Sequence, residues 1–203
     1  YRSSRGLGDV YKRQLLIMRE IKPNTFIFEF KNALSKEDCK SIIQRFEENK
    51  EEHHVGKIGQ NLTENQNIKK STDLFISGKE AWRDIDKILF NALAKSLNEF
   101  KNHFDFFKGP FKDMGYAIQR TDEGQYYHWH IDGGSHEFSY RQLVAIFYLN
   151  DVEVNQGGST EFLHQDVKLI PETGKLILFP PFWTHKHRGC LLYTSDAADE
   201  HSW

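Results

Sequence analysis

The hydrophobic pattern of the chain changes its period near residues 109–110, and this change constrains the fold more than any other feature of the sequence. Before it, apolar residues recur at intervals of three and four over about 79–103, which predicts a long amphipathic helix. A second helix is predicted from Ser35 to about Glu51, because Ser35 and Asp38 resemble a capping box. Its expected buried face consists of Cys39, Ile42, Ile43 and Phe46.

Short β-type runs dominate the sequence after residue 110. They predict strands at 114–120, 126–131, 142–149, 160–163, 167–170 and 175–179, and an alternating run predicts an earlier strand at 25–30. The polar stretch 53–70 is predicted to be a loop. Helices followed by many short strands indicate an α+β domain whose C-terminal part is a sandwich or barrel, with the helices packed outside it.

The composition limits the kinds of partner that the chain can have. Lys+Arg 27 against Asp+Glu 29 leave a formal net charge of -2, so no overall field steers the chain to nucleic acid or to an anionic membrane. The longest apolar run, 176–183, is much shorter than the roughly 20 residues of a membrane span. Two cysteines, Cys39 and Cys190, are too few for a disulfide framework and fit a reducing compartment. We therefore expect a cytoplasmic protein that recognises its partner at a local site.

His130 and Asp132, in the run YHWHIDGG at 127–134, are the sharpest cluster of potential metal ligands. Residues two apart on a strand face the same side, so this imidazole and carboxylate are expected roughly 6–7 Å apart along the backbone. His128 is expected on the same face but roughly 13 Å from Asp132, which is too far for all three to bind one ion.

A further histidine is needed to complete such a site, and His185 and His187 are both candidates because they follow the last predicted strand. A site of two histidines and one carboxylate with open positions is typical of non-haem Fe(II) oxygen chemistry.

The sequence around these residues resembles the prolyl 4-hydroxylase-like branch of the Fe(II)/2-oxoglutarate-dependent dioxygenases. The similarity extends over nearly all of 25–189, and it depends on several blocks that occur in the family's order. The blocks are LSKEDC at 34–39, GQYY at 124–127 before His130 and Asp132, Arg141 with YLN at 148–150, GGSTEF at 157–162, and 174–180 before the distal histidines. The resemblance implies a double-stranded β-helix, which is a jelly-roll barrel with iron at one mouth.

The resemblance also implies roles for individual residues. His130 and Asp132 correspond to the first two iron ligands. Related sequences usually keep the histidine of a His-Arg-Gly run, which favours His187 over His185 as the third ligand. Tyr148 resembles the tyrosine that hydrogen-bonds the distal carboxylate of 2-oxoglutarate.

The remaining expected cofactor-binding residues are Tyr127 and Arg141, and Tyr127 and Trp129 are expected to line the pocket. The implied cofactors are Fe(II), 2-oxoglutarate and O2, with ascorbate as a further expected one. The implied activity is hydroxylation of a C–H bond, with succinate and CO2 as co-products. A prolyl residue in a peptide or protein is the first expected substrate. Two alternatives stay open at this point: a dioxygenase acting on a free small molecule, and a jelly-roll metal-binding module without turnover.

The two ends of the chain are related at the level of DNA. With suitable codons, the reverse complement of residues 8–14 encodes the run CLLYTS at 190–195. This element resembles a sequencing-library adapter, so we expect 1–14 and 190–203 to be adapter-derived and 15–189 to be a dioxygenase domain that is incomplete at its C-terminus. The family places a Lys or Arg for 2-oxoglutarate near position 197, and 190–203 contain neither residue. The chain as written is therefore expected to bind 2-oxoglutarate weakly and to have little activity.

Overall fold

A computed structural model describes residues 17–59 and 61–193 of the chain. Two α-helices are described, α1 (Lys36–Glu48) and α2 (Arg83–His103). The strands are β1 (Met18–Glu20), β2 (Phe28–Phe30), β3 (His54–Val55), β4 (Lys57–Ile58), β5 (Thr63–Glu64), β6 (Lys69–Lys70), β7 (Thr72–Phe75), β8 (Ala117–Arg120), β9 (Tyr126–His130), β10 (Val144–Phe147), β11 (Thr160–Phe162), β12 (Val167–Leu169), β13 (Leu176–Phe179) and β14 (His187–Gly189). Two helices and many short strands, seven of which follow α2, confirm the predicted α+β class.

Helix α1 begins at the predicted cap. The Ser35 hydroxyl accepts a hydrogen bond from the Asp38 backbone N–H (3.0 Å), which satisfies one of the free donors of the first turn. Cys39, Ile42 and Phe46 are buried as predicted, whereas Ile43 is half-buried. The helix ends at Glu48, and a short 3-10 turn (Lys50–Glu52) follows it.

Helix α2 packs against two groups of strands. Its first half, with Ile85 and Leu89, shares a hydrophobic core with α1 and with Leu74 of β7. Its second half places Phe100 against Phe28 of β2, with the ring centroids 5.4 Å apart and the rings nearly perpendicular. The apolar stripe that predicted this helix therefore attaches it to the outside of the β layers.

Two larger sheets form the β-rich part of the fold. One has the strand order β1-β2-β13-β10, and the other has the order β12-β11-β14-β9-β6. All of their pairings are antiparallel. A buried apolar cluster contains residues of both sheets, including Phe162 of β11 and Phe179 of β13. A third sheet, β3-β7-β8, lies near α1. Among the described residues, β8 is an edge strand of this sheet and β10 is an edge strand of the first, since each pairs with only one strand.

The prediction of a loop over 53–70 is wrong. This segment contains β3, β4, β5 and β6; β4 and β5 pair with each other, whereas β3 pairs with β7 and β6 with β9. Each of these strands is two residues long and mostly polar, so the segment lacks the alternating apolar residues by which strands are recognised in a sequence.

The predicted adapter-derived ends lie largely outside the described residues, which begin at 17 and end at 193. Residues 190–193 are described and follow β14 along the sheet. The Cys190 N–H donates to the Ser159 carbonyl (2.8 Å), and the Leu192 N–H donates to the Gln125 carbonyl (3.2 Å). Over the described ranges, neither helix has the length and apolar character required to cross a membrane.

Candidate metal centre

Three potential metal ligands meet where β9 and β14 lie side by side. His130 is the last residue of β9, Asp132 follows two residues later, and His187 opens β14 directly opposite His130 in the antiparallel register. One donor atom from each residue lies within 4.8 Å of the others. The ends of two neighbouring strands therefore bring His187 to residues that lie 55 and 57 positions before it in the sequence.

The hydrogen bonds of the two histidines direct the same ring nitrogen toward the carboxylate. The Nδ1 of His130 lies 2.8 Å from the His128 carbonyl, and the Nδ1 of His187 lies 3.0 Å from the His185 carbonyl. A carbonyl can only accept, so both Nδ1 atoms carry the hydrogen and both Nε2 atoms keep a free lone pair in the neutral rings. These Nε2 atoms lie 3.9 Å and 3.3 Å from the Asp132 carboxylate oxygens.

The electrostatics favour the protonation states that bind a metal. Burial, reinforced by the nearby His187, lowers the pKa of His130 to about 4, so its imidazole is neutral at pH 7. Burial alone would raise the pKa of Asp132, but the adjacent His187, His130 and Arg141 lower it, so the carboxylate is ionised. Two imidazoles and one carboxylate are a donor set that suits Fe(II).

His185, the alternative third ligand in the sequence analysis, lies outside this cluster. It ends a 3-10 turn (Trp183–His185) and is buried. Its Nε2 lies 2.8 Å from the Thr25 carbonyl, and its Nδ1 lies 2.9 Å from the Thr184 hydroxyl. Both nitrogens of His185 are therefore engaged within the protein.

A β-bulge in β9 changes which side chains face the cluster. His187 pairs with His130 and Gly189 pairs with Tyr127, so three steps on β9 match two steps on β14. The extra residue brings the Tyr127 ring onto His130, with the ring centroids 3.5 Å apart and the planes 9° apart. The expectation that His128 shares the face of His130 is therefore wrong, because period-two alternation does not continue through a bulge.

The bulge also turns His128 and Trp129 away from the face of the sheet that carries the cluster. His128 is exposed and lines a surface cavity together with Glu161, Lys168 and Arg188. Trp129 was expected to line the pocket, but the Arg188 guanidinium lies 4.6 Å from the centre of its ring. Arg188 alternates with His187 on β14, so Trp129 lies on the opposite face of the sheet.

Tyr148 is buried in the core between the two larger sheets. Its hydroxyl donates a hydrogen bond to the Thr160 hydroxyl (2.8 Å), and burial raises the pKa of the phenol. Phe162 and Phe179 belong to the same core, and both rings contact the His187 ring. Thr160 was not among the predicted site residues, although it lies two positions before buried Phe162 in the GGSTEF block and so faces the same side of β11.

Arg141 contacts the cluster at the backbone of Asp132. Its guanidinium donates a hydrogen bond to the Asp132 carbonyl (2.8 Å) and lies 4.1 Å from the centre of the Phe138 ring. Its positive charge contributes to the lowered pKa of Asp132.

The fold and the site define a class of protein: helices outside antiparallel sheets, with a two-histidine, one-carboxylate cluster at one end of the strands. Residues 114–196 match the family model described as the 2OG-Fe(II) oxygenase superfamily. This range contains all three candidate ligands. No curated protein matches the chain.

Solved structures that are similar in fold include prolyl hydroxylases. One from Trichoplax adhaerens, in complex with a peptide fragment of the hypoxia inducible factor oxygen degradation domain, has a TM-score of 0.71 at 18% identity, covering 89% of this chain and 88% of that one. A viral collagen prolyl hydroxylase from Paramecium Bursaria Chlorella virus-1, a 2OG complex, has a TM-score of 0.63 at 18% identity, covering 86% and 93%. A prolyl-4-hydroxylase from Pseudomonas putida has a TM-score of 0.61 at 16% identity, covering 83% and 85%.

Residues 114–196 are therefore similar to the 2-oxoglutarate/Fe(II) oxygenase family, and the chain has a fold of the prolyl hydroxylase type. The family match and the structural neighbours support the predicted resemblance, and the similar structures confirm the predicted jelly-roll architecture. The family that residues 114–196 match implies Fe(II), 2-oxoglutarate and O2 as cofactors. In the part of the chain that the structure describes, the sheets of this jelly roll are not closed.

Proposed function

We propose that His130, Asp132 and His187 bind one Fe(II) and that the protein hydroxylates prolyl residues of a peptide or protein. The observation that carries this proposal is the convergence of the three side chains with both Nε2 lone pairs free. Three protein donors leave three positions of an octahedral ion open.

When bound, Fe(II) and 2-oxoglutarate supply the oxidative chemistry that transfers one oxygen atom of O2 to a substrate C–H bond and leaves succinate and CO2. The protein supplies position and electrostatics. Carbonyl groups hold both imidazoles in one orientation, and the ionised Asp132 carboxylate offsets the charge of the cation.

Tyr148 and Thr160 are suited to bind the distal carboxylate of 2-oxoglutarate. The raised pKa keeps the Tyr148 phenol protonated, so it can donate to an anion instead of to Thr160. Arg141 brings a positive charge beside Asp132, where it favours an anionic co-substrate. Tyr127, stacked on His130, forms part of the wall of the pocket.

Exposed aromatic residues beside the cluster favour a peptide substrate. Tyr140 is 81% exposed and follows Asp132 in the chain, whereas Trp183 is 75% exposed and precedes His187. The two segments are joined by a hydrogen bond from the Gly133 N–H to the Pro181 carbonyl (2.7 Å). Aromatic surfaces are a common means of recognising prolyl rings.

The test measures succinate release by the chain with Fe(II), saturating 2-oxoglutarate, O2 and ascorbate, in the presence of prolyl peptides or of free proline. Because 190–203 contain no Lys or Arg for 2-oxoglutarate, we expect a low rate of release, which prolyl peptides should raise and Asp132→Ala should abolish. Stimulation by free proline alone would contradict the peptide assignment and favour a small-molecule substrate. Metal binding without succinate release under every condition would instead favour the binding module. Omitting ascorbate tests its expected role as a further cofactor.

A further inference from the structure

A buried ion pair lies on the strands next to the metal centre and has no part in the function proposed above. The Lys69 ammonium lies 2.6 Å from the Asp73 carboxylate, and the two side chains are 9% and 11% exposed. The Ser71 hydroxyl donates to the other oxygen of Asp73 (2.7 Å). Burying two charges is costly unless their geometry is good, and stability alone is a weak reason for such a pair.

The backbone closes tightly over this pair. The Gly56 N–H donates to the Ser71 carbonyl (3.0 Å), and a Cβ at Gly56 would lie only 2.1 Å from the Ser71 hydroxyl oxygen. Only glycine therefore fits at position 56, and the ion pair is enclosed between β6, β7 and the segment that contains Gly56.

The ion pair reaches the metal centre through one aromatic ring. Lys69 pairs with Tyr127 across β6 and β9, and its ammonium lies 5.0 Å from the centre of the Tyr127 ring. His130 is stacked on the same ring at a centroid distance of 3.5 Å. Since the imidazole covers one face of the phenol ring, the ammonium contacts the other face, and the order is Lys69, Tyr127, His130.

We propose that the Lys69–Asp73 pair positions His130 for metal binding by holding the Tyr127 ring against its imidazole. The bulge in β9 lies between Tyr127 and His130, so the ring is not held against His130 by regular strand alternation. A cation–π contact with a fixed ammonium supplies that support. Asp73 and Ser71 fix the ammonium, because a lysine side chain alone is flexible. Lys69, Asp73 and Tyr127 are thus positioning residues.

The inference rests on the proposed metal site, and its test is the dissociation constant for Co(II), a probe of the Fe(II) site, together with the visible spectrum of the bound ion. Outer partners of metal-binding histidines typically change metal affinity by about 10- to 100-fold. We expect a weakening of at least about tenfold, with an altered spectrum, in the double variant Lys69→Met/Asp73→Leu. Removing both charges together avoids leaving one of them buried without a partner.

Two further variants separate the ring from its hydroxyl. Tyr127→Phe keeps the stacked ring and should bind Co(II) as the wild type does. Tyr127→Leu removes the ring and should weaken binding as the double variant does. A matched control is Lys175→Met/Glu29→Leu, which removes another buried pair (7% and 4% exposed) with no contact to the triad among those that the structure describes. Its Co(II) affinity should be unchanged.

The outcomes distinguish this inference from the proposed function. If the wild type binds no Co(II), both are overturned. If the wild type binds and the double variant binds equally well with the same spectrum, only the positioning role is overturned. An unchanged Co(II) affinity with a raised KM for a prolyl peptide would likewise overturn it and would assign Lys69 to substrate binding. Chemical denaturation of each variant establishes that it is folded, so a loss of affinity is read only from folded protein.

Discussion

His185 and His187 are only two positions apart, yet their nitrogens have different partners. The Nε2 of His187 faces Asp132, whereas the Nε2 of His185 donates a hydrogen bond to the Thr25 carbonyl in the core. The difference arises because a 3-10 turn ends at His185 and β14 begins at His187. A sequence motif alone left both histidines open as the third ligand.

This difference predicts opposite effects of two substitutions. His187→Ala should weaken metal binding by more than about 100-fold, since even outer partners of metal ligands cost about 10- to 100-fold. His185→Ala should leave the metal affinity nearly unchanged but destabilise the fold by about 1–3 kcal/mol, because it leaves a buried carbonyl without its donor. Isothermal titration with Co(II) and urea denaturation measure the two effects. The reverse pattern would place His185 in the site.

The buried imidazole of His130 predicts how stability depends on pH. Its pKa is lowered from 6.5 to about 4 in the folded protein, so below pH 6.5 the unfolded chain takes up a proton that the folded chain does not. The free energy of unfolding of the metal-free protein should therefore be insensitive to this group above pH 6.5. It should fall between pH 6.5 and 4, by about 3 kcal/mol in total for this group. Denaturation of the wild type and of His130→Gln measures it, and equal pH slopes would contradict the assignment.

At the scale of elements, regular amphipathic patterns were enough to predict both helices and most of the core strands. Helix α1 has its cap at Ser35, and the apolar run 175–179 became β13. The strands of 53–70 were missed because they are very short and polar, and their formation depends on pairing with distant strands such as β7 and β9.

The candidate site, like the strands, was predictable where it depends on local sequence and was missed where it depends on pairing between distant strands. His130 and Asp132 are close in sequence, so their spacing placed them together. The bulge in β9 depends on the register with β14, which is a tertiary feature, and it is what brings Tyr127 onto His130. No sequence motif surrounds Lys69 and Asp73. A role for Lys69 is visible only from its pairing with Tyr127 across β6 and β9.

At the scale of the whole molecule, residues 1–14 are proposed to lie outside the native domain. Residues 1–14 should then contribute nothing to folding. A variant that lacks 1–14 should have the same free energy of unfolding and the same Co(II) affinity as the full chain. A clear loss of stability in this variant would argue that the segment packs on the domain.

The proposed function requires a single metal site at His130, Asp132 and His187. The most direct measurement is an anaerobic titration of the full chain with Fe(II), compared with Asp132→Ala. We expect one Fe(II) per wild-type chain and a weakening of more than about 100-fold in the variant, beyond the range seen for outer partners. Equal Fe(II) binding by the two proteins would contradict the account.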